Sequence, residues 1–134
     1  MSELFDTYHK CYMMVIEEPV YHGYTHEYIK SLLDTWDDSQ YLTVLFMCDE
    51  KVDFTETMRT LVYVLFQHEI PYHVLVFLFP FARVVPVEVS QYEVRNYFKK
   101  ERNYKNIRAY IEPFPGSFEE WVYTPGVKGG VRRE

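Results

Sequence analysis

Cysteine is scarce. Cys11 and Cys48 are the only two, too far apart for a paired-cysteine metal motif and too few for a disulfide framework. Glycine is scarce as well: Gly23, Gly116, Gly126, Gly129 and Gly130 are the whole set. All fall in turns or near the end, so no glycine-rich loop joins a strand to a helix to cradle phosphate. No segment approaches the roughly 18 uninterrupted apolar residues of a membrane-spanning helix. The opening MSELFDTYHK lacks the basic start and apolar core of a secretory signal. These absences point to reduced thiols and a cytoplasmic setting, with no membrane association. No internal repeat interrupts the chain.

Aromatics are abundant instead, with 13 Tyr and 10 Phe among 134 residues. Tyrosine carries apolar area with a polar tip, which suits binding surfaces as well as cores. The net charge of −6 is unevenly spread. Residues 1–94 hold 5 Lys and Arg against 15 Asp and Glu, whereas residues 95–134 hold 9 against 5. An acidic body thus precedes a basic last third, a layout that can steer a charged partner or favour head-to-tail dimers.

Strand-like and helix-like patterns alternate. KCYMMVIEE (10–18) reads as a strand closed by Pro19, and THEYIKSLLDTWDD (25–38) as a helix. In the latter, Ile29, Leu32, Leu33 and Trp36 share one face and Thr25 is placed to cap the first turn. YLTVLFMC (41–48) is an apolar run suited to a strand covered on both faces. The spacing of Phe54, Met58, Leu61, Val62, Leu65 and Phe66 predicts a helix over 54–69, capped by Asp53 and ended by Pro71. YHVLVFLF (72–79) reads as a second buried strand, and ARVVPVEV (82–89) as a third, antiparallel to it, with Pro86 marking an edge. Ser90 caps a basic helix over 91–104; IRAYIEPF (107–114) alternates like a strand, and GSFEEW suggests a short helical turn.

The expected fold is therefore α/β: a single domain over residues 1–123 with a mainly parallel sheet in a β-α-β-α-β-β-α-β order. Helices pack on that sheet, which carries an antiparallel edge, and residues 124–134 form a flexible basic C-terminal tail.

Chemistry-bearing residues concentrate in three places. FMCDEKVDFTE puts Asp49 and Glu50 at a strand tip, where two carboxylates can hold a divalent cation. The stretch 42–76 resembles the opening strand–helix–strand of a response-regulator receiver domain, with Asp49 and Glu50 as the acidic pair and Leu61 and Leu65 on the helix. Phosphotransfer in that family needs an aspartate at a later strand end, where this chain has Phe79, Pro80 and Phe81. Glutaredoxin-like proteins carry a redox cysteine pair at a helix start; here Cys48 lies earlier, on the strand, as a buried inert thiol.

The histidines form two loose pairs, His22 with His26 and His68 with His73. Gly23 and the Thr25 cap place His22 outside the helix, so the i, i+4 zinc spacing is not set up. No metal or other cofactor is expected.

The basic helix is the third place. Arg95, Lys99, Lys100, Arg102, Lys105 and Arg108 interleave with Tyr92, Tyr97, Phe98 and Tyr104. Cations neutralise phosphates and aromatic rings stack on unpaired bases. Tyr97 to Lys100 is similar to the Y-x-x-K spacing of replication-initiator nickases, whose tyrosine attacks a DNA phosphate. Those enzymes also need two histidines flanking an apolar residue on a strand, and YHVLVFLF offers only His73.

These readings favour a non-catalytic regulatory protein, an inhibitor or accessory factor of the kind viruses and mobile elements make. It would act on a protein partner and form a homodimer. Its contact residues are expected to be Arg95, Tyr97, Lys99, Lys100, Arg102, Tyr104 and Lys105. The first alternative is nucleic-acid binding by residues 91–108, extending to a nickase using Tyr97. The second is a divalent-metal enzyme built on Asp49 and Glu50.

Overall fold

The structure is a computed structural model that describes residues 7–36, 39–51, 57–102, 118–123 and 131–133. The strands among them are β1 (Tyr8–Glu17), β2 (Leu42–Lys51), β3 (Met58–Pro71), β4 (Ala82–Pro86), β5 (Glu119–Val122) and β6 (Val131–Arg133). The helices are α1 (Pro19–His22), α2 (His26–Thr35), α3 (Tyr72–Leu78) and α4 (Gln91–Arg102). A 3-10 turn, Ser39–Tyr41, leads into β2.

All described strand pairs are antiparallel, in the order β4-β1-β3-β2-β5-β6. This overturns the parallel sheet expected from the sequence. The segment 54–69, expected as a helix, supplies the central strand β3, while 72–79, expected as a strand, supplies helix α3. The physical reason lies in burial on both sides. Leu61 and Tyr63 pack into one layer and Val62, Val64 and Phe66 into the other, so the strand's period of two vanishes into a continuous apolar run. Any such run contains a subset of residues at helical spacing.

The strand over 82–89 is realised as β4, but its partner is β1. GSFEEW contributes β5 instead of a helical turn, and of the expected tail, residues 131–133 pair with β5 as β6. Asp53 and the expected strand 107–114 lie outside the described residues.

The connections explain the order. β1 and β2 both run antiparallel to β3, so they are parallel to each other with β3 inserted between them. β3 and β4 likewise flank β1. A parallel relationship needs a crossover, and α1–α2 and α3 provide the two crossovers. The result is a β-α-β-β-α-β unit of split β-α-β, ferredoxin-like topology, extended by α4, β5 and β6.

Helices cover both faces. On the first face, Ile29 and Leu33 of α2, Leu75 of α3 and Phe79 at the C-cap of α3 pack on Tyr12, Met14, Leu45, Met47, Val62 and Val64. On the second, Val94 and Phe98 of α4 pack on Val44, Phe46, Cys48 and Tyr63. Local signals hold at the helix starts. Thr25 Oγ1 accepts from the Tyr28 amide at 3.0 Å. Ser90 and Glu93 exchange side-chain-to-amide bonds as a capping box.

Pro86 does sit on an edge strand. Val87 N–H donates to Cys11 O, so backbone amides of β4 in step with it point to β1, and the backbone nitrogens of Val84 and Pro86 point to the outer edge. Pro86 has no N–H, and the Ala82 amide is taken by Phe79 O. The outer edge of β4 therefore offers one amide, Val84, and is poorly suited to strand pairing with another chain.

Candidate functional site

Side chains alternate along a strand, and this alternation separates Asp49 from Glu50. Asp49 shares the first face with Met47, and Glu50 the second face with Cys48. The strand-tip acids thus point to opposite sides of the sheet and do not share one cation. The same division applies to Glu119 and Glu120 on β5: Glu119 reaches His26 of α2 on the first face, and Glu120 reaches Arg95 of α4 on the second.

His26 is the centre of the first-face cluster. Its Nε2 meets Asp49 Oδ1 at 2.8 Å and its Nδ1 meets Glu119 Oε2. Thr60 Oγ1 also donates to Asp49 Oδ1, at 2.6 Å. Burial alone would push the imidazole pKa down. The hydrogen bonds and charges of Asp49 and Glu119 outweigh it and hold the pKa up at about 9. His26 is therefore an imidazolium at neutral pH, donating from both nitrogens. A metal ligand needs a free imidazole lone pair. Here both nitrogens already face carboxylates, on opposite sides of the ring. Among the described residues no group of three His, Cys, Asp or Glu is placed to hold a metal ion. The cluster is an ionic clamp that fastens α2 to β2 and β5.

Two more clamps hold the second face. Arg95 Nε donates to both oxygens of Glu120 at 2.8 and 3.0 Å, fastening α4 to β5. Arg59 pairs with Glu50 across β3 and β2. Arg95, expected on a partner-binding surface, is thus engaged within the molecule. Tyr97 is half exposed, with its ring beside Phe98. Lys99, Lys100 and Arg102 fall in the last turns of α4, and Tyr104 and Lys105 lie outside the described residues. His73 belongs to α3 on the first face, whereas Tyr97 is on α4 over the second. The sheet separates them, and beneath α4 lie Val44, Phe46, Cys48 and Tyr63. The pairing of a helical tyrosine with strand histidines is not assembled by these residues.

Both cysteines are buried, and burial pushes the Cys11 thiol pKa up. Cys48 Sγ lies 3.8 Å from Phe98 O, under α4.

A different surface stands out where α1, α2 and the α3–β4 turn meet. Tyr21 is 82% exposed, Val20 79% and Phe81 58%. His22 stacks on Phe81 with centroids 4.3 Å apart and planes 12° from parallel. Tyr21 meets the His22 ring edge-on at 5.0 Å, and Tyr24 meets both Phe81 and Tyr28. Phe77, 75% exposed, stands on α3 in the same helical layer. Beside this corner runs a groove of about 450 Å³ whose lining includes Tyr72, Val76, Phe81, Glu17 and Arg83. Residues 72–81 read as a strand and turn in the sequence, which hid the placement of Phe77 and Phe81. The available signal was Tyr21-His22 and Phe79-Pro80-Phe81, aromatics packed around turn-forming residues.

Fold and clamps together define an antiparallel split β-α-β protein whose helical layers are pinned by partly buried ion pairs, with an aromatic corner at its surface. No protein-family model matches the chain, and no curated protein matches it. Among the described residues no helix is long and apolar enough to cross a membrane.

Proposed function

We propose that this chain is a non-catalytic binding factor that engages a protein partner through the aromatic corner formed by Tyr21, His22, Phe81 and their neighbours. The observation that carries this reading is the exposure of Tyr21 and Phe81 about the His22 ring, with exposed Val20 next to Tyr21 in α1 and exposed Phe77 on α3. Apolar surface left in water is unfavourable, and contiguous patches of it mark interaction sites. Aromatic residues are also the side chains most enriched at the centres of protein interfaces. The groove beside Phe81 adds concavity for a partner side chain. Regulation of the bound protein, as an inhibitor or accessory factor, is the role such a surface serves without any chemistry of its own.

Nucleic-acid binding by α4 is the second reading. The exposure of Tyr92 and Tyr97 favours it, while the engagement of Arg95 by Glu120 weakens it.

The test places a photoreactive side chain at position 77 or, for comparison, at position 92 on α4, and irradiates the chain in an extract of its source cells. A discrete protein adduct from position 77, abolished by Tyr21→Ala with Phe81→Ala, is the expected result. Protein or nucleic-acid adducts arising only from position 92 would refute the reading in favour of α4.

A further inference from the structure

We infer that the aromatic corner recognises a cationic side chain, lysine or arginine, presented by the partner polypeptide. This rests on the protein-binding reading above and adds the chemistry of what is bound.

Three observations lead to it. The first is ring geometry. Tyr21 stands at 80° to His22, which lies nearly parallel to Phe81, and Tyr24 stands at 70° to Phe81. The His22–Phe81 stack and buried Tyr24 hold these rings in place, while Tyr21 and Phe81, 82% and 58% exposed, keep ring surface open to solvent. The negative face of an aromatic ring attracts a cation within about 6 Å of its centroid, and tyrosine serves better than aliphatic residues.

The second observation is charge. Glu17 lines the groove beside Phe81, exposed Glu18 immediately precedes α1, and exposed Glu27 adjoins Tyr28 in the first turn of α2. Arg83 lines the same groove and offsets one of these charges. Arg59, which also feels Glu17, is held by Glu50. The rim is left acidic, on a body that is itself acidic over residues 1–94. An acidic peptide or a phosphate backbone would be repelled there. A purely apolar ligand would strip water from carboxylates without replacing it. A lysine or arginine satisfies both features, its stem lying on the rings and its charge beside the acids.

The third is backbone conformation. Glu18 has φ 47° and ψ 59°, in the left-handed region, and its side chain makes no capping bond to α1. Glycine occupies that region without penalty, and among the described residues Glu18 is the one non-glycine residue at positive φ. This position lies three residues before Tyr21, and a role of the carboxylate in recognition accounts for a non-glycine residue there.

The experiment uses the intact chain as bait for a random-peptide display library, with counter-selection against the chain carrying Tyr21→Ala and Phe81→Ala. Circular dichroism verifies that each variant keeps its fold, which the exposure of both side chains favours. Selected peptides are expected to be enriched in Lys or Arg next to apolar residues. Their affinity should fall about tenfold or more when Glu17→Lys and Glu18→Lys reverse the rim charge, and salt should weaken wild-type binding. Selected peptides with no excess of Lys and Arg, or affinities unmoved by the charge reversal, would overturn the cationic inference while leaving the corner a protein-binding site. Failure to select any peptide that depends on Tyr21 and Phe81 would overturn the corner reading itself, and this inference with it.

Discussion

Asp49 and Glu50 are neighbours in the chain, yet Asp49 holds His26 on one face of the sheet and Glu50 holds Arg59 on the other. The acidic strand tip, which reads in sequence as a place for a cation, is two half-clamps back to back. Each takes its positive charge from the protein itself.

The first consequence is a pH dependence of stability. The folded pKa of His26 is raised to about 9 from an ordinary 6.5. A raised histidine contributes stability that is fully present below the unfolded value and is lost as pH rises through the folded value. Unfolding free energy should therefore fall between about pH 6.5 and pH 9, by on the order of 3 kcal/mol. His26→Gln should lower stability at pH 6 and flatten the curve across that window. Urea titrations at several pH values check this; an unchanged slope in the variant would show that His26 does not carry the effect.

The second clamp is separable. Arg95→Ala leaves Glu120 nearly buried and without its bidentate partner, and should destabilise by about 1–3 kcal/mol. Replacing both residues, Arg95→Met with Glu120→Leu, should recover most of the loss, because two apolar groups need no compensation. Chemical denaturation of the single and double variants gives the coupling directly.

Glu18→Gly should stabilise the fold by about 0.5–1 kcal/mol, since the left-handed conformation disfavours a side chain. If the carboxylate serves recognition, the same variant should bind a selected cationic peptide more weakly. A gain in melting temperature together with a loss of affinity is the expected pair of readings.

Leu45 and Leu75 are both fully buried against the first face. Changing either to Ala should remove about 2–5 kcal/mol, by lost burial and the cavity left behind. Leu75 tests the helical assignment of 72–78. In α3 its neighbour Phe77 is exposed, so Phe77→Ala should be nearly neutral for stability although it removes more apolar surface.

Cys11 and Cys48 should react slowly with a thiol reagent in the native state and rapidly in denaturant, since both are buried and the Cys11 thiolate is disfavoured. Fast labelling of the folded chain would contradict their placement under the sheet layers.

By itself the sequence determined the pieces whose signals are local. Helix α2 was legible because Thr25 caps it and Ile29 and Leu33 face inward while its other side is polar. β1 and β2 were legible from their apolar runs, α4 from Ser90 and its amphipathic spacing, and the edge position of β4 from Pro86. Only tertiary structure decided β3 and α3. Residues 61–66 of β3 are an unbroken apolar run packed on both faces, and α3 is apolar almost throughout although only Leu75 in it is fully buried, so neither shows a single period. What makes 58–71 a strand is the pair of neighbours, β1 and β2, that satisfies its backbone on both sides. What makes 72–78 a helix is the need to cross from β3 to the parallel β4 around the intervening β1. The clamps belong to the same category. His26 lies 23 residues before Asp49 and 93 before Glu119 in the chain, and only the β2–β5 pairing with α2 laid across it puts a cation between those two acids.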